Sequence, residues 1–192
     1  FGARNLFIKK LGEPAARLLL ERRGWQFPLE WRKDGTLLFE ESILGRSDDL
    51  VTWDMKSGTP RVLMGAGDSQ TGGTISPDGN WLAYVSDETA HREVYLCSYP
   101  TLGAKEMLSV GGGGGPVWSN DGKELFFRNG LGLFAVEFDN GTIGTPRLLF
   151  KGNFVGGFRS HPNYDVTRDG KRFIMVDGGL GLTRRRLDVH LH

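Results

Sequence analysis

One cysteine, Cys97, is found among 192 residues, so no disulfide can form within the chain. It lies in the aromatic-flanked stretch Val94-Tyr95-Leu96-Cys97, where a buried structural thiol is expected. Long apolar runs are lacking too: none approaches the roughly 20 residues of a membrane-spanning helix, and the N-terminus lacks a signal-peptide layout. Neither sign of charge dominates. With 24 Lys and Arg against 23 Asp and Glu the formal net charge is +1, which gives no global field for nucleic acid or an anionic membrane. The run Arg184-Arg185-Arg186 is too short to change that and reads as a solvated loop or strand end. Proline is sparse, with 8 residues, whereas the 29 glycines are about twice the usual ~7% share and fall between apolar runs. Short strands joined by many turns account for the glycine excess.

Catalytic signatures are lacking as well. The sequence has no G-x-S-x-G, no H-E-x-x-H and no C-x-x-C. Its four histidines, His91, His161, His190 and His192, are too scattered for a local metal motif. His161 with Asp68 and Asp48 could be assembled into a site on paper, because a ring of loops can gather distant ligands. The expectation is nevertheless no metal and no cofactor. Gly111 to Gly115 invites a phosphate-loop reading, which fails because Pro116 and a strand follow rather than a Lys and a helix N-terminus. Close backbone passage near the centre of a ring is the reading preferred for these glycines. The sequon Asn140-Gly141-Thr142 reads as a hairpin turn.

What is present is a repeat. Asp34-Gly35, Asp78-Gly79, Asp121-Gly122 and Asp169-Gly170 recur at steps of 44, 43 and 48 residues. An apolar segment ends three residues before each Asp, at Trp31, Ile75, Trp118 and Val166, and another follows the Gly. Each pair therefore predicts a hairpin, with Gly taking positive φ and the carboxylate accepting backbone N–H groups. The strands before the turns fall at about 27–31, 72–76, 115–119 and 163–167, and those after it at 37–39, 82–84, 125–127 and 173–175. The first repeat is one residue shorter after its Gly, which predicts a different turn. A third strand is expected at 6–9, 50–53, 94–97 and 133–136, and a fourth at 17–20, 61–64, 106–109 and 147–150. Ala15-Ala16-Arg17-Leu18-Leu19-Leu20-Glu21 has helical propensity, but its phase in the repeat makes it strand.

Strands this continuously apolar belong to sheets buried on both faces. Four strands repeated every 40 to 50 residues predict an all-β fold, a β-propeller of four-stranded antiparallel blades. The expected blades occupy 1–22 (a half), 23–66, 67–111, 112–152 and 153–192 (a half plus a trailing strand at 187–191), within one propeller domain over 1–192. The chain opens with the third and fourth strands of one blade and ends with the first and second of another. These make about four blade equivalents.

Ser76-Pro77-Asp78-Gly79-Asn80-Trp81-Leu82-Ala83-Tyr84-Val85-Ser86-Asp87 and Gly115-Pro116-Val117-Trp118-Ser119-Asn120-Asp121-Gly122-Lys123-Glu124-Leu125-Phe126-Phe127 resemble the signature of the TolB-like, WD-repeat-like bacterial propeller family. Asn120, Lys33 and Arg168 stand where the family usually has Pro. The order of motifs, with Val94-Tyr95-Leu96, Pro146 to Phe150 and Asn163 to Val166, is similar to the C-terminal propeller half of bacterial proteins in which the propeller follows a serine/threonine kinase domain. That family's rings usually have six or more blades. The resemblance thus implies either a piece of a longer chain or, as favoured here, self-association of two chains into an eight-bladed ring that leaves no strand edge bare. It leaves the compartment open between bacterial periplasm and cytoplasm.

In a propeller the Asp-Gly turns lie opposite the loops that usually carry function, so Asp34, Asp78, Asp121 and Asp169 are expected to be structural. The loop face draws on Arg22, Arg23, Trp25, Arg46, Asp48, Asp49, Asp68, Gln70, Asp87, Glu88, His91, Arg92, Phe154, Phe158, Arg159 and His161. Arginine and aromatic groups suit a protein or peptide partner, since they combine contact area with directional hydrogen bonds. Trp25, Arg46, Asp68, His91, Arg92, Phe154, Phe158, Arg159 and His161 are the expected contacts, and the loop Lys151 to Pro162 is the foremost segment. Asp87 is expected to cap its own loop backbone. The reading is a non-catalytic binding scaffold or sensor; the alternatives are a propeller enzyme with a loop-face metal site, or the accessory propeller of a serine peptidase.

Overall fold

A two-strand reversal needs a residue that tolerates positive φ and a group that satisfies the freed backbone donors, and Asp-Gly supplies both. The computed structural model describes residues 4–56, 58–64, 67–139, 141–155 and 161–178. All four Asp-Gly pairs close hairpins there. The glycine N–H groups donate three residues back, Gly35 to Arg32 at 3.1 Å, Gly79 to Ser76 at 2.9 Å, Gly122 to Ser119 at 3.0 Å and Gly170 to Thr167 at 2.9 Å. Their φ angles run from +70° to +99°. Each Asp carboxylate accepts the N–H two residues on, from Thr36, Asn80, Lys123 or Lys171, at 2.8 to 3.2 Å.

The first turn differs, as its length predicts. In the other three a hydroxyl at Ser76, Ser119 or Thr167 donates to the Asp and accepts the N–H of Trp81, Glu124 or Arg172. Arg32 holds that position in the first repeat, and its own N–H reaches the Thr36 carbonyl at 2.8 Å, one residue sooner. Its guanidinium crosses to the next repeat instead and donates to the Ser76 carbonyl at 3.0 Å.

Among the described residues seventeen strands, all paired antiparallel, build five sheets in chain order. The first pairs β1 (Leu6–Ile8) with β2 (Arg17–Leu20). Strand form thus prevails over the helical propensity from Arg17 to Leu20, with Ala15 and Ala16 just before the strand. The second sheet runs β3 (Trp25–Trp31), β4 (Thr36–Ser42), β5 (Asp49–Asp54), β6 (Arg61–Val62). The third runs β7 (Gln70–Ile75), β8 (Trp81–Ser86), β9 (Glu93–Ser98), β10 (Lys105–Met107). The fourth runs β11 (Gly114–Trp118), β12 (Glu124–Asn129), β13 (Gly132–Asp139), with both β14 (Thr142–Ile143) and β15 (Arg147–Lys151) on β13. The fifth pairs β16 (Tyr164–Val166) with β17 (Phe173–Met175).

Strand β14 is an addition to the expected four per blade. Phe138 pairs with Ile143 and Asp139 with Thr142 across a turn in which Gly141 has φ +87°. β6 spans two residues where four were expected, although the Leu63 N–H still donates to the Leu50 carbonyl of β5 at 2.8 Å. The trailing strand expected at 187–191 lies outside the described residues.

Because side chains alternate across a strand, each inner strand feeds two interfaces. Leu82 and Tyr84 of β8, with Tyr95 and Cys97 of β9, pack against Leu38 and Leu50 of the second sheet. Ala83, Val85, Val94 and Leu96 pack against Trp118, Leu125, Phe127 and Val136 of the fourth. Leu6 joins Leu37, Phe39 and Val51 at the first interface, and Tyr164 joins Phe126 and Leu133 at the last. Burying each Leu or Phe at these positions stabilises the stack by about 1.5–3 kcal/mol.

Candidate functional site

Four-stranded antiparallel order puts the loops 43–48, 87–92 and 130–131 and the inter-sheet connections at the ends opposite the Asp-Gly turns. These loops are tied to one another. Ser47 donates through Oγ to the Gly67 carbonyl at 2.6 Å, and the Gln70 N–H donates to the Asp48 carbonyl at 2.7 Å. The Ser69 N–H donates to Asp87 Oδ1 at 2.7 Å, the Arg92 guanidinium to Thr71 Oγ1 at 2.5 Å, and the Gly113 N–H to the Arg92 carbonyl at 2.7 Å. Asp87 therefore does not cap its own loop as expected; its carboxylate anchors the segment that leads into β7.

Two buried carboxylates stiffen the same end. Glu41 is gripped by the Arg22 guanidinium, and Glu93 accepts from the Ser109 hydroxyl and from the Gly112 N–H at 2.7 Å. The bond to Glu41 raises the Arg22 pKa above its ordinary value. Burial, reinforced by Glu41 and Asp48, raises that of Asp49. The glycine run acquires a specific account here. Gly112 needs φ +115° to aim its N–H at Glu93, a Cβ on Gly113 would strike Ser109, and one on Gly115 would approach Pro162 Cα to 2.9 Å.

Between the second and third sheets lies a groove of about 420 Å³, lined by Leu63, Met64, Asp68, Gln70, Tyr84, Glu88, Cys97, Leu102 and Lys105. It lies just past the end of β6, whose following residues Leu63 and Met64 form one wall against the third sheet. Lys105 Nζ bonds Glu88 at 2.5 Å and lies 5.3 Å from the Tyr95 ring centre, forming one rim. Gln70 is 5% exposed and its Oε1 has no hydrogen-bond partner, while Asp68 sits half-buried beside it. Burial pushes the Cys97 thiol up to about 11, so it serves as lining and not as a nucleophile.

The expected contact residues divide among several environments. Asp68 enters the groove, whereas Arg46, His91 and His161 are exposed, and Arg92 is exposed yet braced on Thr71. Trp25 is covered by the Arg4 guanidinium at 4.6 Å. Phe154 is not a free loop anchor: it packs edge-on against Phe150 at 6.1 Å with Arg128 over its ring at 5.7 Å. Phe158 and Arg159 lie outside the described residues, as do the other positions of 156–160 in the loop favoured from sequence. The paper assembly of His161, Asp68 and Asp48 does not form; among the described residues no group of three or more His, Cys, Asp or Glu could hold a metal ion. Lys105, Tyr84 and Leu102 are lining that the sequence did not announce, because strand pairing within the third sheet, and not closeness along the chain, brings them to the groove that Asp68 lines. No helix among the described residues is long and apolar enough to cross a membrane.

No protein-family model and no curated protein sequence matches the chain. Solved structures do. TolB from Acinetobacter baumannii superposes with a TM-score of 0.69 at 20% identity over 93% of this chain and 44% of that one. A puromycin-hydrolyzing peptidase of Mycobacterium tuberculosis gives 0.65 at 17% identity over 87% of this chain and 31% of its own. An oligogalacturonate lyase in complex with manganese gives 0.59 at 20% identity over 87% of this chain and 49% of its own. The chain thus spans less than half the length of each of these three proteins. At such identities the likeness shows the fold alone, and that fold is the TolB-like β-propeller.

Proposed function

We propose that this chain is a non-catalytic propeller module that binds a protein or peptide on its loop face, as a scaffold or sensor. The observation that supports this is the run of bonds from Ser47 through Gln70, Ser69, Asp87 and Arg92 to Gly113. Loops held in this way present Arg46, His91 and the Asp68 groove with little ordering cost on association. Selection of a random peptide library on the immobilised chain tests it. Enriched peptides should lose binding to an Arg46→Ala/His91→Ala double variant whose melting temperature is unchanged; no enrichment, or indifference to the variant, counts against it.

The lyase and peptidase likenesses keep an enzyme in view as the alternative. Elemental analysis and turnover assays separate the two: stoichiometric metal with turnover of a polysaccharide or peptide substrate would replace the scaffold reading.

Self-association is proposed as well. Phe7 on the first sheet is 61% exposed and Ile174 on the fifth 74%, so each two-stranded sheet presents apolar surface that a further blade would cover. A dimer in solution supports a ring shared by two chains; a stable monomer argues against it.

A further inference from the structure

We infer that the groove between the second and third sheets receives an arginine side chain of the partner, its guanidinium on Asp68 and the Gln70 side-chain carbonyl, its methylenes against Leu63, Met64 and Leu102. This rests on the peptide-binding reading above and adds a recognised chemistry to it.

Charge and hydrogen-bonding needs select the occupant. Glu88 is already matched by Lys105 at 2.5 Å, which leaves Asp68 as the groove's carboxylate without a hydrogen bond or ion pair among the described residues. Gln70 beside it is 5% exposed, and its buried Oε1 has no hydrogen-bond partner, a state that a donor reaching it through the groove relieves. Both open positions are acceptors, so the ligand must bring donors and positive charge. A partner carboxylate is repelled and an alkyl group alone leaves Gln70 unsatisfied. A planar guanidinium with five N–H groups can serve two acceptors at once, whereas an ammonium is a point charge suited to one. The apolar walls match the aliphatic stem that arginine carries beneath its charge.

The first repeat offers a partial parallel, in which an arginine meets a carboxylate beside a buried glutamine without bonding the glutamine itself. Gln26 lies 44 residues before Gln70, at the same place in its strand, and is also buried with Oε1 unsatisfied. Its cross-strand neighbour Glu41 is bound by the chain's own Arg22 through two bonds, at 2.6 and 2.9 Å. Forty-four residues after Arg22 the sequence has Ala66. In the second repeat the cross-strand neighbour of Gln70 is Ser86, so the inner carboxylate and the arginine are both replaced, and Asp68 is the carboxylate that a partner's arginine would meet.

Titration of the 192-residue chain with acetyl-Ala-Arg-Ala-amide, followed by methyl and side-chain amide NMR, tests this. Saturable shifts at Met64, Leu102 and the Gln70 carboxamide are expected. The lysine peptide should bind several-fold more weakly, the norleucine and glutamate peptides at least tenfold more weakly, and Asp68→Asn should weaken the arginine peptide about tenfold. A Lys105→Met variant, which frees Glu88, should tighten it. Equal binding of the norleucine peptide, or an Asp68→Asn variant that binds as well as the parent, would overturn the inference. The two readings fail separately: library peptides that bind the loop face without arginine sink only the groove assignment, whereas no enriched peptide at all sinks the peptide-binding reading beneath it.

Discussion

The Arg22 guanidinium holds the Glu41 carboxylate in a paired grip, Nε to Oε1 at 2.6 Å and Nη2 to Oε2 at 2.9 Å. The partners are unequally placed, since Arg22 keeps 30% of its side chain in solvent and Glu41 only 4%.

That asymmetry predicts unequal mutants. Arg22→Met strands a buried carboxylate and should cost roughly 2–3 kcal/mol, less than a fully buried pair because Arg22 is partly hydrated. Arg22→Met/Glu41→Gln removes both charges and should recover more than half of that loss. Urea denaturation of the single and double variants gives the coupling, and additive losses would contradict the pairing.

The Asp-Gly turns predict a step in acid stability. Hydrogen bonds from Ser119 and from the Lys123 backbone hold the Asp121 carboxyl below its ordinary 3.8. At Asp78 burial pushes upward, but bonds from Ser76 and Asn80 outweigh it and the net shift is also down. A depressed folded pKa gives stability that is complete above the unfolded value and lost as pH falls through the folded one. Asp78→Asn and Asp121→Asn should therefore lower the melting temperature at pH 7, and their deficit against the parent should shrink below about pH 4. Asp49, raised chiefly by burial, has the opposite sign: its neutralisation stabilises the fold as pH falls through its raised value. An undiminished deficit at pH 3 would assign the effect to shape and not to charge.

Much of this was legible because the repeat is written in turn chemistry. The hairpins, the order of strands and the odd first turn follow from the spacing of Asp-Gly and from a single missing residue. Asp68, Gln70 and Glu88 were visible as loop residues, since polar groups between apolar runs announce themselves. The groove was not visible. Its lining includes Leu63, Tyr84 and Cys97, which the repeat places in strands, and Leu102, which falls in none of the expected strands. Phe154 shows what spacing does not convey: an aromatic residue in a glycine-rich loop is half-buried, with its ring against Phe150 and Arg128.

Packing between sheets predicts different fates for two glycines. A Cβ on Gly73 would stand 2.9 Å from Leu50 Cδ1 and 3.4 Å from Leu38 Cδ2, both on fully buried side chains that cannot retreat. Gly73→Ala should cost about 1–3 kcal/mol by overpacking. Gly114 has no atom within 4 Å of the same construction and no positive φ, so Gly114→Ala should fall within about 0.5 kcal/mol of the parent or slightly above it. Equal effects from thermal melts would mean that the second and third sheets are packed more loosely than the distances require.

The lone thiol gives a prediction at the alkaline end. Cys97 is 2% exposed, and burial raises its pKa from 9.0 to about 11, while the nearby Lys105 pulls weakly the other way. A raised folded pKa means that the unfolded chain ionises first, so stability should begin to fall above about pH 9 and the contribution should level off above about pH 11. Burial raises Tyr84 in the same sense, and the two groups should act together. Cys97→Ala should reduce the slope of stability against pH between 9 and 11 and leave the part due to tyrosine. At pH 8 a thiol reagent can reach the sulfur only through transient opening, so labelling of the native chain should run at least a hundredfold slower than in urea. Labelling at the same rate in both conditions would show that the groove admits the reagent, and the wall between the second and third sheets would then have to be drawn as open.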